Sequence, residues 1–250
     1  MNSHIHRFKT FSSLVCLTVC LCSSPATANE SASSEWRNLF NGKDLTGWKP
    51  KFAGQALGTN YKNTFQVVNG TIKVSYDNYE TFNGEFGHLI YQTPYSHYRL
   101  RFDYRFTGEQ TKGGPRWAFR NSGVMVHSQS PESMTIEQDF PASIEVQLLG
   151  QVGTKERPTG NVCTPGSHIV INNILEKEHC INSTSETYAG DIWVTAEIEV
   201  SGNDYIKHYI NDQLVLSYRF PQLDPADPEV DTTNIIKNNN LAMTGGFISF

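Results

Sequence analysis

The segment Tyr98-Arg-Leu-Arg-Phe-Asp-Tyr-Arg-Phe106 alternates without a break. Tyr98, Leu100, Phe102, Tyr104 and Phe106 fall on one side, and Arg99, Arg101, Asp103 and Arg105 on the other. A period of two belongs to a strand with one face in a core and the other in water. Phe65-Gln-Val-Val68 and Thr71-Ile-Lys-Val74 are joined by Asn69-Gly70, a hairpin signal because both turn residues tolerate positive φ. His88-Leu-Ile-Tyr91, Gly123-Val-Met-Val-His127 and Ser143-Ile-Glu-Val-Gln-Leu-Leu149 are further strand-like runs. Trp193-Val-Thr-Ala-Glu-Ile-Glu-Val200, Tyr205-Ile-Lys-His-Tyr-Ile210 and Gln213-Leu-Val-Leu-Ser-Tyr218 predict a meander, and Gly246-Phe-Ile-Ser-Phe250 begins another strand. No helical stripe of useful length and no internal repeat is visible. Many short strands with Gly/Asn turns predict an all-β sandwich or jelly roll. Residues 110–120 and 150–189 carry little periodicity and read as long loops, where a β scaffold usually carries its site. Residues 222–240 are acidic, polar and proline-bearing, and read as a surface loop.

The first 28 residues are read separately. His4, His6, Arg7 and Lys9 precede an apolar run from Phe11 to Cys22, and Ala26-Thr-Ala28 is a small-x-small cleavage site. Together these are the parts of a secretory signal peptide. A secreted or periplasmic protein is expected, with a linker at 29–35 and one domain over 36–250. A lipoprotein signal is the weaker reading, since Val19 stands before Cys20 where a small residue is wanted. No run of about 18 apolar residues exists, so no stable membrane insertion is expected after cleavage. Cleavage would remove Arg7 and Lys9 and no acid, moving the net charge from -5 to -7. With no basic cluster beyond the first ten residues, nucleic acid is excluded as a partner. At 38% hydrophobic and 18% charged, the composition is that of a folded globular chain. Cys163 and Cys180 are the cysteines that remain after cleavage, and an even pair in an exported chain predicts a disulfide. It would be worth about 3 kcal/mol in the chain-entropy picture.

Four motifs in order carry a resemblance. Trp36-Arg-Asn-Leu-Phe-Asn-Gly-Lys-Asp-Leu-Thr-Gly-Trp48 resembles the opening motif of the 3-keto-disaccharide hydrolase family, also described as a 3-keto-glucoside 1,2-lyase and 2-hydroxy-3-keto-glucal hydratase domain. Asn121-Ser-Gly-Val-Met-Val126 resembles its Asn-Ser-Gly strand, and Ile144-Glu-Val-Gln-Leu148 its Glu-x-Gln strand. Gly246-Phe-Ile-Ser-Phe250 resembles the start of its closing strand. The resemblance implies a concanavalin-like jelly roll of two antiparallel sheets and an enzyme acting on 3-keto sugars. Two features depart from the pattern. Gly150 follows where the family often has an Asp, and the family's last strand would lie beyond Phe250, so the chain reads as one strand short.

The implied chemistry removes the C2 proton that a C3 ketone acidifies, expels the C1 substituent and then adds water. It needs a base, a stabiliser for the enolate oxygen and an acid for the leaving group. Glu145 and Gln147, two apart on a strand, face one way, while Ile144, Val146 and Leu148 face the opposite sheet. Glu145 is the expected ionisable centre. Asn121 and His127 fall on one face of the neighbouring strand, with Gly123 between them leaving room for a ligand. Arg120 could polarise a sugar ketone, and Trp117 could stack on a pyranose face. His168, in the loop closed by Cys163 and Cys180, is a second candidate acid or base. On spacing alone each of these equally suits a solvated or structural residue. No cofactor is required by the sequence. A divalent metal would suit an enediolate, but no local motif demands one, and Asp224, Asp227, Glu229 and Asp231 lack the glycine of an EF-hand loop. The expected partner is a mono- or oligosaccharide. Two other readings fit the same architecture. A laminarinase-type glycosidase would need a second carboxylate near Glu145, and a carbohydrate-binding module would need no catalytic group at all.

Overall fold

The computed structural model describes residues 35–231 and 240–250. Chain contacts divide the protein into Met1–Arg37 and Asn38–Phe250. The expected signal peptide and most of the linker lie outside the described residues, as does the central part of the acidic segment at 222–240. The second unit is a jelly-roll sandwich of two antiparallel sheets. The seven-stranded sheet runs β1(Trp48–Phe52), β4(Gly87–Tyr91), β15(Phe247–Ser249), β6(Asn121–Ser128), β7(Ile144–Leu149), β8(Asn161–Cys163) and β11(Cys180–Ile181). The six-stranded sheet runs β10(Ile174–Glu176), β9(Ser167–Ile171), β14(Gln213–Leu223), β13(Tyr205–Ile210), β12(Val194–Ser201) and β5(His97–Tyr104). The Asn69-Gly70 hairpin forms as a separate pair, β2(Phe65–Val68) and β3(Thr71–Val74). Among the described residues no helix is long and apolar enough to cross a membrane.

The alternation in β5 is realised across the two layers. Leu100 is buried in the core, with Tyr98, Phe102, Tyr104 and Phe106 packed against it. Arg99 and Arg101 on the other side meet Glu197 and Asp212, Asp103 accepts from Thr195 Oγ1 at 2.6 Å, and Arg105 pairs with Asp191. Val124, Val126, Ile144, Val146 and Leu148 fill the core from the seven-stranded sheet, opposed by Ile198, Val200, Ile206 and Ile210. Each such burial is worth about 1.5–3 kcal/mol. His208 sits in this core with both ring nitrogens satisfied. His208 donates Nδ1–H to the Gly160 carbonyl at 2.9 Å and accepts at Nε2 from the Tyr218 hydroxyl at 2.8 Å. The carbonyl can only accept, which fixes this tautomer, and burial pushes the His208 imidazole down to about 4.

The structure departs from the sequence reading in three places. β1 contains Pro50 and lies at the sheet edge, where a missing N–H costs no ladder bond. β14 runs on to Leu223, past Pro221, because a bulge with Phe220 at φ 50° takes the proline out of register. The segment 150–189 contains four short strands. β8 and β11 belong to one sheet, while β9 and β10 cross to the other and turn back at Asn172-Asn173, both at positive φ. The disulfide between Cys163 and Cys180 forms and ties the two ends of this excursion together.

Candidate active site

Glu145 lies on the face of β7 turned away from the core. Its direct neighbours across the sheet are Met125 on β6 and Cys163 on β8, and beyond Cys163 stands Cys180. Met125 and Cys163 are both buried, so an apolar thioether and the cystine flank the carboxylate. The side chain leans over Gly123. A Cβ there would collide with the Glu145 carboxylate oxygen and lie 2.6 Å from its Cγ. The room at Gly123 is therefore taken by Glu145 itself, and not left for a ligand. Glu145 is half-buried and has no hydrogen bond or ion pair among the described residues. Burial alone pushes its carboxyl up to about 7.

Gln147 shares this face and is the direct neighbour of Gly123. Its Oε1 accepts from Asn161 Nδ2 at 3.1 Å, and Asn161 is held by the Pro158 carbonyl and the Ser183 N–H. That fixes the carboxamide with its Nε2 donor unused among the described residues. Asn121, opposite Leu149 on the same face, donates Nδ2 to the Trp117 carbonyl at 3.1 Å. Glu145, Gln147 and Asn121 are thus brought together, with Trp117 beside them.

The other candidates go elsewhere. Between the pairs Met125–Ser249 and Ser128–Phe247, β6 carries two residues against one on β15, and His127 at φ 51° absorbs the extra residue. The bulge breaks the parity that would have aligned His127 with Asn121. His127 is buried, its Nε2 donates to the Gly202 carbonyl at 2.9 Å in the β12–β13 turn, and burial lowers its pKa. Arg120 stacks over Phe119, donates to the Gln151 carbonyl at 3.2 Å and packs toward Gly150 and Phe106. His168 sits in β9 on the outer face of the six-stranded sheet, 3.7 Å from Asp224, so the disulfide does not carry it to Glu145. Among the described residues no group of three or more His, Cys, Asp or Glu converges as a metal site.

Sequence reasoning passed over four residues of this region. His88 on β4 faces the same surface as Glu145. It is buried, donates Nε2–H to the Asp139 carbonyl at 2.7 Å and is pushed down to about 4, so it is neutral at physiological pH. Arg157 fastens the rim, with Nη1 donating to the carbonyls of Phe119, Arg120 and Gly150 at 2.7–3.0 Å and Nη2 to that of Trp117. Phe86 and Phe140 build an aromatic wall with Trp117. Phe86 stacks on Trp117 at 5.8 Å and 18°, Phe140 lies 5.0 Å from Phe86, and His88 lies 5.6 Å from Phe140. The alternation of β4 could have flagged His88, but nothing local flags Arg157 or Phe140.

The outer face of this jelly-roll sheet thus carries a carboxyl unpaired among the described residues and a carboxamide held through its oxygen, bordered by aromatic rings. The model of the 3-keto-alpha-glucoside-1,2-lyase-like domain matches residues 35–249, and the chain belongs to that family. The family gives the chain a carbohydrate-related function. No curated protein matches the chain. Among solved structures, it is similar to a kappa-carrageenase from Pseudoalteromonas carrageenovora, solved in complex with an oligotetrasaccharide of kappa-carrageenan. The two are 13% identical over 85% of this chain and 89% of that one, with a TM-score of 0.37.

Proposed function

We propose that the protein cleaves 3-keto-glucosides by elimination followed by hydration, with Glu145 as the proton carrier. The Glu145 carboxylate takes the proton from C2, and the electron pair of that bond forms the C1–C2 double bond as the C1–O bond breaks. The departing oxygen takes a proton from Glu145, now a carboxylic acid. Water then adds its oxygen to C1 and a proton returns to C2, giving 3-keto-glucose and the free alcohol. The observation that carries this reading is a half-buried carboxyl on the outer sheet face with no partner among the described residues, pushed up to about 7 by burial. Near neutrality such a group is ready both to accept and to give a proton. In this reading Gln147 Nε2, unused among the described residues, donates to the oxygen on which enolate charge develops. A retaining glycosidase would need a second carboxylate about 5–5.5 Å from the first, whereas the direct neighbours of Glu145 across the sheet are Met125 and Cys163. We further propose export, which suits the Cys163–Cys180 disulfide.

The deciding experiment compares wild type and Glu145→Gln on a 3-keto-glucoside, its unoxidised parent and a β-glucan. Turnover of the keto sugar alone, falling about 10²–10⁴-fold in the variant, is the expected result. Full activity in the variant removes Glu145 from the mechanism. Binding of glucan with no turnover of any substrate makes the protein a binding domain.

A further inference from the structure

We propose that the wall of Trp117, Phe86 and Phe140 is the subsite for the leaving group of the glycoside, and that it selects leaving groups presenting a ring face over small alkyl ones. The inference rests on the reading of Glu145 as the centre of cleavage. Phe86 immediately precedes β4, and Gly87 turns to the core side against Phe52, so Phe86 and His88 share the outer face with Glu145. β4 lies two strands from β6, with β15 between them. Ser249 pairs with both Ile90 and Met125, so His88 stands level with Gly123, and at about 4.8 Å per strand the backbone that carries Phe86 lies roughly 9–10 Å or more from Gly123, over which the Glu145 carboxylate leans. A sugar whose C1–C2 bond lies at Glu145 therefore has its neighbour, and not itself, at the wall.

Trp117 is built as a platform. It is 55% exposed, while one face is backed by Phe86 in a near-parallel stack. Its backbone carbonyl is held by Asn121 of the site and by Arg157 of the rim. The indole is thus pre-set against one residue of the catalytic face before any ligand arrives. Indole faces recognise the apolar side of a pyranose, or an aryl ring, through a contact that a methyl group cannot match.

The test measures kcat/KM for 3-keto-glucosides that differ only in the leaving group: a pyranose, phenyl or methyl. Trp117→Ala should lower the preference for the pyranosyl over the methyl substrate by about 3- to 10-fold, and Trp117→Phe should retain most of it. The phenyl substrate separates the two ring chemistries. Loss of the pyranosyl preference alone assigns the subsite to sugars, and parallel loss of the phenyl preference assigns it to ring faces in general. An unchanged preference in Trp117→Ala overturns the proposal. Calorimetric binding of the pyranosyl substrate to Glu145→Gln, with and without Trp117→Ala, gives a readout free of turnover. Equal affinity in the two proteins also overturns the subsite, whatever becomes of the mechanism.

Discussion

At the scale of single residues, Gly123 and Glu145 act as one unit. The carboxylate occupies the volume a Cβ on Gly123 would fill, so its orientation is set by the absence of an atom on the next strand. Gly123→Ala should displace Glu145, reduce kcat, and cost about 1–3 kcal/mol by overpacking; a denaturant titration run beside the kinetics checks both. Glu145 also has a pH signature. Its folded value of about 7 stands above the ordinary 4.5, so the unfolded chain releases its proton first. The group therefore favours the folded state below about pH 4.5 and loses that relative advantage as pH rises through 7. In catalysis the same value should appear as a limb of kcat/KM near pH 7, and its absence from the profile would count against the assignment.

The elements explain which of these residues could be read in advance. Glu145 and Gln147 were legible because β7 is regular and buried on one side, so spacing alone gave the shared face. His127 was not, because a bulge changes parity at the residue itself and leaves no mark in the pattern Gly-Val-Met-Val-His. Segment 150–189 hid its strands because each is two to five residues long and the excursion divides them between sheets. The disulfide pairing was legible from counting. Its place beside Glu145 was not, since only the register of β7 against β8 reveals it. That place has two consequences. Replacing Cys163 and Cys180 by Ser should lower stability by about 3 kcal/mol, read from the denaturation midpoint. It should also move the limb near pH 7 to lower pH, because hydroxyls then flank the carboxylate where apolar sulfur did. A Met125→Leu control, apolar like its parent, should hold the limb in place.

For the whole molecule, acid is the condition that tests the sandwich. His88 and His208 are buried neutral and pushed to about 4, against 6.5 for a free imidazole. A depressed folded value means that the unfolded state binds protons first, so the contribution is full above 6.5 and is lost as pH falls from there through 4. Each histidine accounts for a few kcal/mol at most. Thermal melts between pH 7 and pH 4 should show Tm falling, and His208→Gln should flatten the curve while lowering its plateau. The gain from protonating Glu145 runs the other way over much of the same interval, so Glu145→Gln should steepen the fall.

β15 sits between β4 and β6, in the interior of the seven-stranded sheet, although in sequence it follows every other described strand. The two halves of that sheet cannot be joined while the ribosome still holds residues 247–249. Folding of this domain must wait until synthesis has passed them, and the growing chain stays open until then. For the export proposed above, such late closure would act as a built-in delay.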